Sequence, residues 1–332
     1  LRLNVKNSGY IFKIFLCLLL IIEKGSAASQ EVMHCQSVVK QEYLNPAYNS
    51  FKDYISVNLL ARTQWVGVGY HPEVYGANFY MPLRLSRLGV GFTLLSEEIG
   101  LRNVNSFNVS LTHNIRVSMR SYLSFGYGVG AELSSYDREK IIAKNDNYLN
   151  YDIDWTTASP SVKLGIFYAD PHIFAGLSSN MVIGSDNNED WYLPGFDFVC
   201  GAMYRLSKTV FFRPDLIIKY YRNEQIVVTE SEPVNSYVPP VYDLSVSFLL
   251  DERVWLSTSH RFNLAHTFSV DFLVASNLQL GYSFELGIGE GLNHFNSHTI
   301  SLSYKINSGK ALGGFQKEVR YDYGNRFKYL YR

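Results

Sequence analysis

The chain has 332 residues, and its 30 basic and 30 acidic side chains cancel; only 18% of its residues are charged, against a soluble norm of about 25%. Aromatic residues make up 15%, with 25 Tyr and 21 Phe, a composition that suits the girdles of a membrane wall. No stretch after Ile22 approaches the roughly 18 apolar residues of a transmembrane helix, which excludes a helical membrane protein.

The N-terminal end reads as an export signal. Arg2, Lys6 and Lys13 precede the apolar run from Ile14 to Ile22, and the small residues Gly25, Ser26, Ala27 and Ala28 follow. The run is too short to span a bilayer. Cleavage is expected near Ala28, so residues 1–28 are a signal peptide and 29–52 an N-terminal periplasmic segment leading into the next domain. Cys17 lacks small residues directly before it, which argues against a lipoprotein site. Cys35 and Cys200 then remain. They lie far apart, and Cys200 shares the apolar face of its strand with Phe196, Phe198 and Ala202, so both are expected unpaired.

From residue 53 onward the chain alternates with a period of two, the signature of strands. Between Ser121 and Leu133, Leu123, Phe125, Tyr127, Val129 and Ala131 point one way, and Ser124, Gly126, Gly128, Gly130 and Glu132 the other. A soluble sandwich would expose a charged face. Here the non-apolar face is mostly Ser, Gly, Asn and Thr, as in a wet lumen behind an apolar wall. The pattern predicts strands at 53–62, 75–82, 88–96, 104–115, 119–133, 157–169, 171–180, 194–206, 209–222, 240–250, 252–260, 266–276, 277–288 and 295–306. The fold class is all-β, a transmembrane antiparallel β-barrel of about 14 strands over 53–307. A charge facing lipid near mid-depth costs about 2–4 kcal/mol, which places Glu285 and Lys305 in the lumen.

Connection lengths give the barrel a direction. The turns at Pro82–Arg87, Arg116–Ser118, Asp170, Ser207–Lys208, Asp251 and Ser276–Asn277 are short and fall on one side. The long loops Ser134–Thr156, Met181–Leu193 and Asn223–Pro239 fall on the other, the arrangement of an outer-membrane barrel with a periplasmic N-terminus. Two long loops carry Asp186, Glu189, Asp190, Glu224, Glu230 and Glu232, while the short-turn side carries Arg84, Arg87, Arg116 and Lys208. Asp186, Asn188 and Asp190 have calcium-loop spacing, but Trp191 occupies the position where the turn needs Gly, so no metal is expected. The tail 308–332 has six basic residues against two acidic ones. Within it, Lys317, Arg320, Arg326 and Lys328 are candidate contacts to a periplasmic partner.

No catalytic cluster emerges. His71, His113, His172, His260, His266, His294 and His298 have no Ser, Cys or carboxylate at a spacing that would build a nucleophile and its base. His113 is in register with Phe107, Val109 and Leu111 and is expected at the membrane interface, whereas His298 is expected in the lumen. No enzyme activity and no cofactor are expected.

The first hairpins carry motifs. Asn45-Pro46-Ala47-Tyr48 precedes the first strand, and Arg62-Thr63-Gln64-Trp65-Val66-Gly67 closes it, followed by Pro72. Leu88-Gly89-Val90-Gly91-Phe92 and Glu97-Glu98-Ile99-Gly100 come next. In this order the chain resembles the PorP/SprF family of type IX secretion system membrane proteins, strongly over 41–133 and by strand pattern through Ile306. Asn49-Ser50 stands where the family usually has Ala-Gly, and Glu97 or Glu98 where it often has Asp. Each motif residue also has a structural reading. Asn45-Pro46 can be a turn guiding the chain into the barrel, and Trp65 an interface aromatic. Arg62 lies on the polar register, where an ion pair with an acid such as Glu132 or Glu285 would hold the wall or a plug.

The resemblance implies a non-enzymatic outer-membrane component of the Bacteroidota type IX apparatus. Such a component supports export or surface attachment of client proteins such as adhesins, with a role for some members in gliding motility. Implied partners are outer-membrane lipid, other type IX components, a client's C-terminal domain and a periplasmic lipoprotein, with no nucleic acid among them. A porin or ligand-selective transporter is the alternative reading of the same polar lumen.

Overall fold

The computed structural model describes residues 37–52, 54–83, 87–118, 121–136, 156–186, 189–221, 240–289 and 295–306. A short helix, α1 (Ser37–Leu44), and a 3-10 turn (Pro46–Phe51) precede the sheet. The strands are β1 (Ile55–Thr63), β2 (Glu73–Pro82), β3 (Leu88–Ile99), β4 (Arg102–Arg116), β5 (Tyr122–Tyr136), β6 (Thr156–Ala169), β7 (Ile173–Asp186) and β8 (Glu189–Ala202). The two-residue β9 (Tyr204–Arg205), β10 (Val210–Tyr221), β11 (Val241–Leu250), β12 (Val254–Arg261), β13 (Ala265–Ala275), β14 (Leu278–Gly287) and β15 (Asn296–Ile306) follow.

Each strand pairs antiparallel with its sequence neighbour, and β1 pairs with β15 from Ile55↔Ile306 to Thr63↔His298. The ladder therefore closes on itself, as a wall in lipid must, because hydrocarbon offers no partner to an open edge. β9 continues β8 past Met203. Both pair with β10, on either side of Pro214, so the wall is a closed cylinder of 14 staves. Proline lacks the N–H that an unbroken ladder would use, and the irregularity falls beside it.

The predicted alternation is the observed one. Leu59, Phe92, Leu111, Tyr127, Val129, Leu164, Phe196, Phe268 and Ile300 are exposed on the outside, while Asn58, Thr112, Ser124, Ser178, Ser247, Ser283 and Ser301 are buried on the inside. Glu285 is buried among them. Cys200 is a free thiol among the described residues.

Short turns follow from local chemistry. Between β11 and β12, Asp251 and Glu252 both take positive φ (48° and 56°), the mirror turn whose twist matches a two-stranded ribbon. Between β6 and β7, Asp170 Oδ1 accepts from the backbone N–H of His172 (2.7 Å) and Ile173 (2.9 Å), an Asx turn.

Two expectations are corrected. Met181–Leu193 is not a long loop, because β7 and β8 stay paired from Ile173↔Ala202 out to Asp186↔Glu189. An acidic, polar stretch reads as a loop, but the ladder is made by backbone N–H and C=O groups, which every such residue carries. The long strands β4 to β8 contain 14 or 15 residues each, more than the roughly 9–11 that cross hydrocarbon. His298 is on the outer wall, where its Nδ1 is 2.8 Å from the Tyr282 hydroxyl. The period of two puts it with Ile300, Leu302 and Tyr304, not with the lumen residues. The loops 137–155 and 222–239 lie outside the described residues, as do the proposed signal peptide and the tail.

A lipid-facing charge tests this topology. Val129→Arg, at a residue 65% exposed on the outer face, is expected to lower barrel stability by about 2–4 kcal/mol. Urea titration of the protein folded into lipid vesicles would measure the loss.

Candidate functional site: a plugged lumen with a charged belt

The described part of the N-terminal entry segment, residues 37–52, packs against the inner wall of the barrel. Asn45 caps the 3-10 turn: its backbone is extended (φ −120°), its side chain accepts from Ala47 N–H at 2.9 Å, and Pro46 supplies the first helical position. The same side chain reaches the wall, where Asn45 Nδ2 donates to the carbonyl oxygens of Ile166 on β6 (3.1 Å) and Leu177 on β7 (3.3 Å). Ala47 is fully buried. Three strands make room: a Cβ on Gly126 would strike the Pro46–Ala47 backbone, and one on Gly165 would strike Asn45 Oδ1. On Gly176 it would press on Phe167 and the Asn45 amide.

Further contacts tie the segment across the lumen. The Ser50 hydroxyl bonds that of Ser124, and Asn114 Nδ2 donates to the Ser50 carbonyl at 3.2 Å. On the opposite wall the Tyr43 hydroxyl donates to the Asn58 carbonyl at 3.0 Å, and its ring lies over Gly76. Glu42 takes an ion pair from Lys52 and a hydrogen bond from Asn58. Burial, followed by the Glu42 charge, pushes the Tyr43 phenol far above its ordinary range, so it stays a neutral donor. Asn45-Pro46-Ala47-Tyr48 is thus the crown of a plug held by both walls.

The plug rests on an apolar floor near the short-turn end. Ala47 packs in one cluster with Phe167, Phe174, Met203, Phe211, Leu249 and Trp255, all buried, and Tyr48 packs against it. Tyr48 meets Phe167 edge-on, with centroids 5.3 Å apart. The Arg213 guanidinium lies 4.8 Å from the Phe174 ring centroid, a cation–π contact. Inward Phe, Met and Trp in place of Ser and Gly make this part of the interior a core.

Toward the long-loop end the inner wall carries a charged belt centred on Glu285. Arg62 Nη2 donates to Glu285 Oε1 at 2.9 Å, and Arg261 Nη2 and Thr267 Oγ1 each donate to Oε2 at 3.2 Å. Arg62 also donates to Thr299 Oγ1 at 3.2 Å, and Arg261 Nε lies 3.7 Å from Asp243. The residues come from β1, β11, β12, β13, β14 and β15. Nearer the floor, Arg213 lies 3.3 Å from Asp215 on β10, and above them Lys219 lies 4.0 Å from Asp197, joining β10 to β8. Glu285, and not Glu132, is the acid that Arg62 reaches; Glu132 lies 3.9 Å from Arg102.

The other motif residues shape the first hairpins. Gln64 is buried and its N–H donates to the Pro72 carbonyl at 2.8 Å, closing the β1–β2 loop. Trp65 (φ 52°) and Gly67 (φ 97°) take left-handed backbone within it, and Val66 N–H donates to the Asn296 carbonyl at 3.0 Å. Gly89 leaves space for the buried Tyr80 ring, and Gly91 for Ser110. Gly100 turns the chain between β3 and β4 at φ 67°. Lys317, Arg320, Arg326 and Lys328 lie outside the described residues. The sequence reading missed Glu42, Tyr43, Arg261, Asp243 and Thr267. Alternation with Ser257 and Ser259 was a usable signal for Arg261; nothing local marked Tyr43.

Two substitutions test the arrangement. Gly165→Leu is expected to dislodge the plug, so that trypsin cleaves after Lys52, buried in the parent, much faster in the variant; mass spectrometry of the digest reads the site. Glu285→Ala would remove the carboxylate shared by two buried guanidinium groups and is expected to cost about 3–5 kcal/mol, read as a lower denaturant midpoint. Glu285→Gln should lose less, because it keeps a hydrogen-bond acceptor.

Comparisons with known proteins bear on the barrel and on the family. Among solved structures the barrel is similar to the CymD monoaromatic hydrocarbon channel, at a TM-score of 0.50 and 11% identity, covering 85% of this chain and 94% of that one. The Pseudomonas putida toluene transporter TodX gives a TM-score of 0.46 at 9% identity, covering 86% and 98%. The NanC porin gives 0.37 at 10%, covering 76% and 100%. At such identities the CymD likeness bears on the fold alone: an outer-membrane barrel. A search of curated proteins found no match. The pattern described as type IX secretion system membrane protein PorP/SprF matches residues 27–304, most of the chain, motifs and barrel together. The chain belongs to the PorP/SprF family of type IX secretion system membrane proteins.

Proposed function

We propose that this protein is a non-conducting outer-membrane scaffold of the type IX apparatus, supporting export or surface attachment of client proteins rather than passing solutes through its lumen. The observation that carries the reading is the interior. The chain's own segment, seated on Gly126, Gly165 and Gly176, and the floor of Phe167, Phe174, Phe211 and Trp255 occupy space that a solute path would need. An open porin instead leaves a water-filled channel along the barrel axis.

In this reading the long-loop end faces outward, where the β7–β8 hairpin and its neighbours engage a client's C-terminal domain. The short-turn end and the tail 308–332 face periplasmic machinery, including a lipoprotein partner. The protein takes no part in bond chemistry. Adhesin clients, and a part in gliding, belong to the same proposal.

Two measurements test it together. Purified protein in a planar bilayer is expected to pass little current, and deletion of the gene is expected to strip particular large proteins from the cell surface or medium. Steady, large conductance would favour the porin reading. An unchanged set of exported proteins would defeat the secretion role.

A further inference from the structure

The hairpin β12–β13 carries a feature that neither the lumen nor the wall uses. His260 and His266 stand directly opposite each other in its register, on the outer face at the long-loop end, and their Nδ1 atoms are 3.1 Å apart. The ring centroids are 4.3 Å apart, so the two imidazoles approach by their Nδ1 edges more closely than by their centres. The ring planes are tilted by 31°, so the two Nδ1 atoms are the nearest polar atoms of the pair and are separated by the bite distance of a chelate.

From this geometry we infer that His260 and His266 form a two-imidazole chelate for a divalent transition-metal ion. Metal–nitrogen bonds of about 2.0–2.1 Å to nitrogens this far apart subtend about 100° at the ion, near the tetrahedral angle. Imidazole suits Zn²⁺, Cu²⁺ and Ni²⁺, with Cu²⁺ expected to bind tightest. Without metal, the proton shared by the pair sits on one Nδ1 and is donated to the other. In the chelate that proton moves to Nε2 of the same ring, both Nδ1 lone pairs go to the metal, and no net proton is released from the neutral pair. No group of three or more His, Cys, Asp or Glu able to hold a metal occurs among the described residues, and the pair supplies two ligands.

The pair is held in place from inside the barrel. Arg261, next to His260, is buried in the ion pairs with Asp243 and Glu285, and Thr267, next to His266, donates to Glu285. The turn between them is closed by Leu264 N–H to the Arg261 carbonyl (3.1 Å), with Asn263 at φ 57°. Ile288 N–H, on the neighbouring connection, donates to the Leu264 carbonyl at 2.9 Å. Phe262 packs edge-on against the His260 ring, with centroids 4.7 Å apart. These contacts fix the backbone positions of the two histidines, which lowers the cost of bringing both rings to one ion.

The test uses full-length, tag-free protein in detergent, titrated with Cu²⁺ and Zn²⁺ by calorimetry and examined by electron paramagnetic resonance with Cu²⁺ bound. The parent is expected to take up one ion whose spectrum shows two nitrogen ligands. His260→Ala and His266→Ala should each weaken binding by roughly tenfold or more, since the second imidazole no longer binds intramolecularly. His298→Ala, on the same wall, should leave it unchanged. Heat-modifiable gel mobility establishes that each variant is folded. A folded parent that binds no ion, or folded variants at 260 and 266 that match the parent, would overturn the assignment.

Discussion

In hydrocarbon a strand can satisfy its N–H and C=O groups only on another strand, and the whole molecule depends on the ladder that meets this demand. The decisive junction joins first strand to last: Ile55 to Thr63 against His298 to Ile306. Once it forms, every stave has two neighbours, the outward register is committed to lipid and the inward register to a confined space. Side-chain placement follows, since a shift of one residue would turn Glu285 and Arg62 into the membrane.

Closure at 14 staves encloses more room than small inward residues can fill. The interior is completed in two ways. Near the short-turn end, Phe167, Phe174, Phe211 and Trp255 close up as a floor, and the segment carrying Asn45 to Tyr48 is laid over it. Toward the other end, guanidinium and carboxylate groups cross-link the inner faces of the consecutive strands β12, β13, β14, β15 and β1 through Glu285. Buried charges of this kind add little net stability, but each breaks badly when its partner is lost, so they fix which strands face one another.

The wall was legible in the amino-acid order because its rule is local. A period of two, Gly and Ser on one register and Leu, Phe and Val on the other, specifies strand, face and membrane without reference to anything distant. The exceptions are instructive. In β7 and β8 the polar residues 184–186 and 189–190 hid paired strand, because backbone pairing does not require an apolar register. His298 was a misassigned parity, and counting by twos from Ile300 corrects it.

The candidate site was legible only in part. Arg62 announced itself as a charge on a lumen register that needed an acid, and Glu285 was one of two acids named for it. The family motifs marked Asn45 to Tyr48 as meaningful but did not reveal what they touch. The sequence by itself determined an all-β wall, its inside and outside, and its family. Only the tertiary structure decided that residues 42 to 50 lie within the lumen, because their seat is built from Gly126, Gly165 and Gly176 on three strands, and the absence of a side chain carries no local pattern. The same holds for Arg261 and Thr267: their convergence on Glu285 arises from barrel curvature and register, which bring together residues that no spacing along the chain relates.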